Sequence, residues 1–137
     1  MTREEIVDSA RSWVGVPYLH QGRTRKGVDC IGLLACIAKQ FQISDYDETD
    51  YGRRPSGLHM RRVLQDNLQP IALADLREAD ILHMATDNEP LHVAVVSRAN
   101  PLYIIHSSSD FGKVIEQRLD DVYVRRLRAC YRIPGIA

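Results

Sequence analysis

The chain of 137 residues has no apolar run approaching the ~20 residues that a membrane-spanning helix needs. Its first residues, MTREEIVDSARSW, are charged where a secretory leader would be apolar, so the expectation is synthesis and folding in the cytoplasm without a signal peptide. Cysteine is scarce: three, at positions 30, 36 and 130, with no C-x-x-C pair. An odd count suits a reducing compartment better than a disulfide framework, and the spacing does not match a common structural zinc site. Net charge is lacking as well, because 18 Lys and Arg balance 18 Asp and Glu. Without an overall field to attract a polyanion, neither nucleic acid nor a membrane surface is an expected partner. No internal repeat, low-complexity tract or linker interrupts the chain.

What is present is globular composition, 45% hydrophobic and 26% charged, in a length that suits one domain with its own core over residues 1–137. Thr2-Arg3-Glu4-Glu5 fits a helix capping box, and Ile6, Val7, Ala10, Trp13 and Val14 follow on one face until Gly15 and Pro17. Residues 15–28, GVPYLHQGRTRKGV, read as a loop. A second helix is predicted from Cys30 to Phe41, capped by Asp29, with Leu33, Leu34, Ile37 and Phe41 buried. The run CIGLLACIA is apolar nearly all round, which places this helix at the centre of the domain. Ser56 is positioned to cap a third helix over 57–67, with Met60, Val63 and Leu64 inward.

The second half changes period. Ile81–Ala85, Leu91–Ser97, Leu102–Ser108, Lys113–Leu119 and Arg128–Pro134 are short β-branched runs divided by turn residues. Helices first and strands afterwards imply an α+β domain, with helices packed on one face of an antiparallel sheet.

Among candidate chemical groups Cys30 stands apart. It follows a Gly-rich loop and opens a helix, where backbone amides and the helix dipole stabilise a thiolate. Cys36, further along the helix, and Cys130, in a strand, read as core. A nucleophilic thiol needs a base, and the base needs an orienting group. His92 alternates with Ala94 and Val96, and His106 shares a face with Ile104 and Ser108. A turn over 98–100 pairing Ser97 with Pro101 would set the two imidazoles directly opposite one another. His20, His59 and His83 lack such company and read as structural or surface residues. Cys30, His92 and His106 could also hold a catalytic zinc with one open position, an alternative left open at this point.

These residues carry a family likeness. Val16-Pro17-Tyr18-Leu19-His20-Gln21-Gly22, followed by Gly27-Val28-Asp29-Cys30-Ile31-Gly32-Leu33, resembles the P-Y-x-x-G-G…D-C-S-G signature of the NlpC/P60 cysteine peptidases. Asp80 matches the aspartate of their P-G-D segment, Leu91–Val96 their H-V-G-I-Y strand, and Ile105-His106-Ser107 the histidine strand that follows. Three departures stand out: Ile31 replaces the usual serine, Gln21 the first glycine of the pair, and Glu78-Ala79 the Pro-Gly before Asp80. The resemblance implies a papain-like NlpC/P60 fold, with N-terminal helices on an antiparallel sheet of five to six strands, and no cofactor or metal.

It also implies hydrolysis of peptidoglycan stem peptides, typically at a γ-D-glutamyl–diamino acid bond. Cys30 is then the nucleophile, His92 the general base, His106 its orienting partner, and Tyr18 a neighbour of the oxyanion site. Stem peptides carry carboxylates, so Arg23, Arg25 and Lys26 are candidate substrate clamps, with a solvated basic loop as the other reading. The D-C-I-G form and the short chain look most like the phage-encoded subgroup, which implies phage tail proteins as partners and a place in the virion tail, acting at the bacterial wall. Two rival functions keep the fold: a non-catalytic tail assembly component, and a thiol amidase or acyltransferase working through the same thioester.

Overall fold

The computed structural model describes residues 1–45, 57–85 and 91–137, with backbone alone over 57–60. The expected cap at Ser56, the inward Met60 and the exposure of His59 lie outside the described residues. Helix α1 (Arg3–Arg11) starts as the capping box requires, the Thr2 hydroxyl oxygen accepting from the Glu5 amide at 3.1 Å. It ends at Ser12, so Val14 lies beyond the last turn. Val14 is 46% exposed, which corrects the expectation that it joins Ile6, Val7, Ala10 and Trp13 in the core. Helix α2 (Cys30–Gln40) is the central helix, with Leu33 and Ile37 buried and Leu34 and Phe41 packed at the margin. Helix α3 (Gly57–Asn67) places Leu64 in the same core.

The loop expected over 15–28 contains a small hairpin, β1 (Arg23–Thr24) and β2 (Gly27–Val28), joined by Arg25 and Lys26. The main sheet comprises β3 (Gln69–Ile71), β4 (Ile81–Met84), β5 (His92–Arg98), β6 (Tyr103–Ser108), β7 (Lys113–Arg118) and β8 (Leu127–Arg132). Its order is β3-β8-β4-β5-β6-β7, and every pair is antiparallel. Five of these six strands follow from the β-branched runs. The sixth, β3, has three residues with Pro70 in the middle, and it lies at an edge, where a missing amide is tolerated.

Apolar side chains fill both faces of the sheet centre. On the helix side, Val93, Val95, Ile105 and Tyr131 pack with Ile6, Leu33 and Ile37. On the other face, Leu82, Met84, Ala94, Val96, Ile104 and Cys130 form a second cluster. Leu76, Leu119, Tyr123 and Val124 close it over, partly from the short helix α4 (Asp121–Val124). The expectation of helices on one face alone therefore needs correction. The runs in β4 and β5 are apolar at successive positions because both their faces are covered.

Candidate active site

Asp29 does three local jobs at the start of α2. Its Oδ1 accepts from the Gly32 amide at 2.7 Å, its Oδ2 accepts from the Gln21 amide at 2.8 Å, and Oδ1 lies 3.4 Å from Nη1 of Arg23. One buried carboxylate thus caps the helix and ties the preceding loop to it. Gly32 allows that loop to come close, since a Cβ there would stand 2.1 Å from the Gly22 carbonyl oxygen. Gln21 holds φ 62°, a left-handed conformation that glycine adopts at least cost, at the position where the resembling family carries glycine. Cys30 is the first helical residue. It is 6% exposed and borders the helix-side core.

The histidines come from the sheet. The Nε2 of His92 lies 2.6 Å from Nδ1 of His106, with the rings edge to face at an interplanar angle of 80°. The other nitrogen of His92, Nδ1, is buried. The pair forms by a different register from the one expected. Val96 pairs with Ile104 and Arg98 with Tyr103, a bulge at Ser97 absorbing one residue. Continued along the strands, this register puts Ala94 opposite His106, so the two imidazoles are diagonal neighbours. Strand side chains repeat every second residue, so a two-residue shift keeps both rings on one face, whereas a one-residue shift would have separated them.

A hydrogen bond ties the start of the helix to strand β6, on the face opposite the His106 ring. The Ser107 hydroxyl donates to the Val28 carbonyl at 2.7 Å, and Ser107 adjoins His106 just as Val28 adjoins the Asp29–Cys30 helix start. Helix α2 packs over β5 and β6. Tyr18 is half-buried nearby, its amide donating to the Gly112 carbonyl at 2.9 Å and its backbone bridging to Val28.

Sequence reasoning missed one member of the row. Gln117, on the edge strand β7, places Oε1 2.8 Å from Nε2 of His106. It falls in the strand expected over Lys113–Leu119, but no motif marks it. The basic residues divide. Arg25 turns back over the Trp13 ring at 3.8 Å and donates to the Ser12 carbonyl at 2.8 Å, so its charge serves the end of α1. Arg23 donates to the Gly22 carbonyl at 3.0 Å and faces Asp29. Arg23 thus braces the loop against the helix start, and Arg25 braces it against the end of α1. Lys26 is exposed at the hairpin turn.

Among the described residues, no three His, Cys, Asp or Glu side chains converge to hold a metal ion. The imidazole nitrogens of His92 and His106 point at each other across a hydrogen-bond distance and not towards a shared ion. His83 is buried on the helix side, and its Nδ1 has no hydrogen-bond partner. Burial first, then the charges of Arg61 and Arg128, lower its pKa from 6.5 to about 4. It is a neutral packing residue.

No protein-family model matches the chain. Two curated relatives come from Escherichia coli. Murein DD-endopeptidase MepS/Murein LD-carboxypeptidase is 22% identical over 136 residues, covering 96% of this chain and 63% of that protein. Probable endopeptidase NlpC is 29% identical over 119 residues, covering 85% of this chain and 68% of its own length. An NlpC/P60 family protein from Bacillus cereus superposes with a TM-score of 0.74 at 20% identity, over 97% of this chain and 40% of that structure. The chain thus spans less than two-thirds of the length of MepS. Over most of its length the chain is thus similar to the murein endopeptidase MepS and to the probable endopeptidase NlpC, and it shares the α+β fold of an NlpC/P60 family structure.

Proposed function

We propose that the chain is a cysteine peptidase that hydrolyses an amide bond in peptidoglycan stem peptides, with Cys30 as nucleophile, His92 as general base and His106 orienting it. The observation that carries this reading is the 2.6 Å His92–His106 bond on β5 and β6, the two strands over which the capped helix that opens at Cys30 packs. Its support in substrate class is that the curated relatives are named as a murein endopeptidase and a probable endopeptidase. With Nε2 of His92 engaged by His106, Nδ1 is the nitrogen that takes the thiol proton. The thiolate then attacks the amide carbonyl, and the amides at the start of α2, including that of Cys30, stabilise the oxyanion. Collapse breaks the C–N bond as His92 returns its proton to the leaving amine. Water hydrolyses the thioester and restores the thiol.

The finer reading takes the bond as γ-D-glutamyl–diamino acid, Arg23, Arg25 and Lys26 as the cations that meet stem-peptide carboxylates, and the site of action as the bacterial wall reached from a phage tail. Immunodetection in purified virions tests the last point, and absence there removes it. The main test is mass spectrometry of defined muropeptides incubated with wild type and with Cys30→Ala. Cleavage by wild type and at least a thousandfold less by the variant is expected, since the covalent route is lost. Equal cleavage by both proteins would sink the role of Cys30. A reduced, folded wild type inert on every stem peptide would sink the substrate class.

A further inference from the structure

We propose that Gln117 is a positioning residue that sets the proton order of the whole imidazole row, and so keeps His92 in the one tautomer able to accept the Cys30 proton. The proposal rests on the reading of Cys30 and His92 given above. Its basis is a line of contacts across three strands: Gln117 Oε1 to His106 Nε2 at 2.8 Å, then His106 Nδ1 to His92 Nε2 at 2.6 Å. Register builds this line. Ile104 pairs with Gln117 and His106 with Ile115, so Gln117 lies one diagonal step from His106, as His106 does from His92.

The direction of the line follows from one atom. An amide oxygen only accepts hydrogen bonds, so His106 carries its proton on Nε2. A neutral imidazole has one N–H, which leaves Nδ1 of His106 as an acceptor. His92 must then donate from Nε2, and its Nδ1 holds the lone pair. Taking the thiol proton makes an imidazolium that still donates from Nε2, so no bond in the row has to be rearranged. The opposite amide orientation would reverse every step. His106 would donate from Nδ1, and His92 would carry its proton on Nδ1, where it cannot act as base.

The test uses the whole 137-residue chain labelled with nitrogen-15, at slightly alkaline pH. Long-range proton–nitrogen correlation spectra should show both His92 and His106 as Nε2–H tautomers. Gln117→Leu removes the acceptor. The tautomers should then mix, and alkylation of Cys30 by iodoacetamide, followed by peptide mass mapping, should slow about tenfold. Gln117→Glu keeps an acceptor and should restore both readouts, which a purely structural role for the side chain would not require.

Wild-type His106 protonated on Nδ1 overturns the proposal, as does a Gln117→Leu protein with unchanged tautomers or with unchanged Cys30 reactivity. If Gln117→Leu fails to fold, the wild-type spectrum and the Glu variant still decide. Wild type that shows the expected tautomers yet cleaves no muropeptide would remove the substrate class and leave the row standing.

Discussion

Two buried polar clusters hang on the same sheet and handle charge in opposite ways. In the first, Asp80 is fully buried and every acceptor position of its carboxylate is filled. Its Oδ1 accepts from Nη1 of Arg3 at 3.2 Å and Nε of Arg132 at 3.0 Å, and its Oδ2 from the Arg77 amide and from Arg132 Nη2, both at 2.8 Å. This knot joins α1, the entry to β4 and the last strand. In the second, Gln117, His106 and His92 form a row of hydrogen-bonded side chains that begins at an edge strand, and the reading proposed above sets Cys30 at its other end. A carboxylate that accepts from four donors pins three elements together, whereas each ring of the row has a second nitrogen through which a hydrogen bond can be passed on. The aspartate of the family's P-G-D segment is therefore read as architecture, and the histidines as chemistry.

Breaking the first cluster gives the larger effect on stability. Asp80→Ala strands two arginines, and Arg3 is already 7% exposed with Nε unbonded. Removing one partner of a buried ion pair costs about 3 kcal/mol or more, because the remaining charge loses its compensation. Chemical denaturation should show that loss, while turnover per folded molecule stays within about twofold of wild type. A variant that keeps its stability would refute the structural reading. One that folds well but loses turnover would move Asp80 into the chemistry.

His83 sharpens the comparison, since it is a buried imidazole outside either cluster. Its folded pKa, about 4, lies below the ordinary 6.5, so the unfolded chain binds the extra proton between those values. The contribution is fully present above about pH 6.5 and is lost as pH falls towards 4. Melting curves should fall over that window by the equivalent of about 2 kcal/mol after allowance for solvent screening, and His83→Leu should flatten the fall. An equal slope in the variant would place the acid sensitivity elsewhere. The histidines of the row, which have ring partners, are distinguished from His83 by bonding and not by depth.

How far these differences were legible in the sequence depends on the physical range of each signal. The Asp29 cap and the position of Cys30 are local, and helix periodicity gave them directly. The face shared by His92 and His106 was also legible, because alternation in a strand is local. Their register was not, because it depends on the bulge at Ser97, where two strands must fit each other. Gln117 escaped for the same reason: an ordinary polar residue acquires meaning only from the partner that pairing brings to it. The contact of Arg25 with the Trp13 ring was not legible either, because the two residues lie twelve positions apart and meet only in the folded chain. The second apolar layer was visible as unbroken runs in β4 and β5, but its cover, around Tyr123 and Leu76, comes from segments with no strong period.

The smallest expected effect concerns a feature that the two clusters share. Each adjoins a non-glycine residue in left-handed backbone, Gln21 at φ 62° beside Asp29 and Ala79 at φ 71° beside Asp80, and both stand where the resembling family has glycine. Left-handed backbone costs a residue with a Cβ about 1 kcal/mol relative to glycine. At Gln21, which is exposed, little packing opposes that term, and Gln21→Gly should raise stability by about 0.5–1 kcal/mol, seen as a melting point a few degrees higher. At Ala79, which is fully buried, glycine would relieve the same strain but remove a methyl group worth about 0.8 kcal/mol of burial. The two terms nearly cancel, and Ala79→Gly should leave the melting point close to wild type. Equal gains at both positions would mean that the Ala79 methyl contributes nothing to packing around the ion-pair knot. No gain at Gln21 would mean that its side chain makes contacts worth as much as the strain, and the loop before Cys30 would then owe its shape to Gln21 itself as well as to the Asp29 carboxylate.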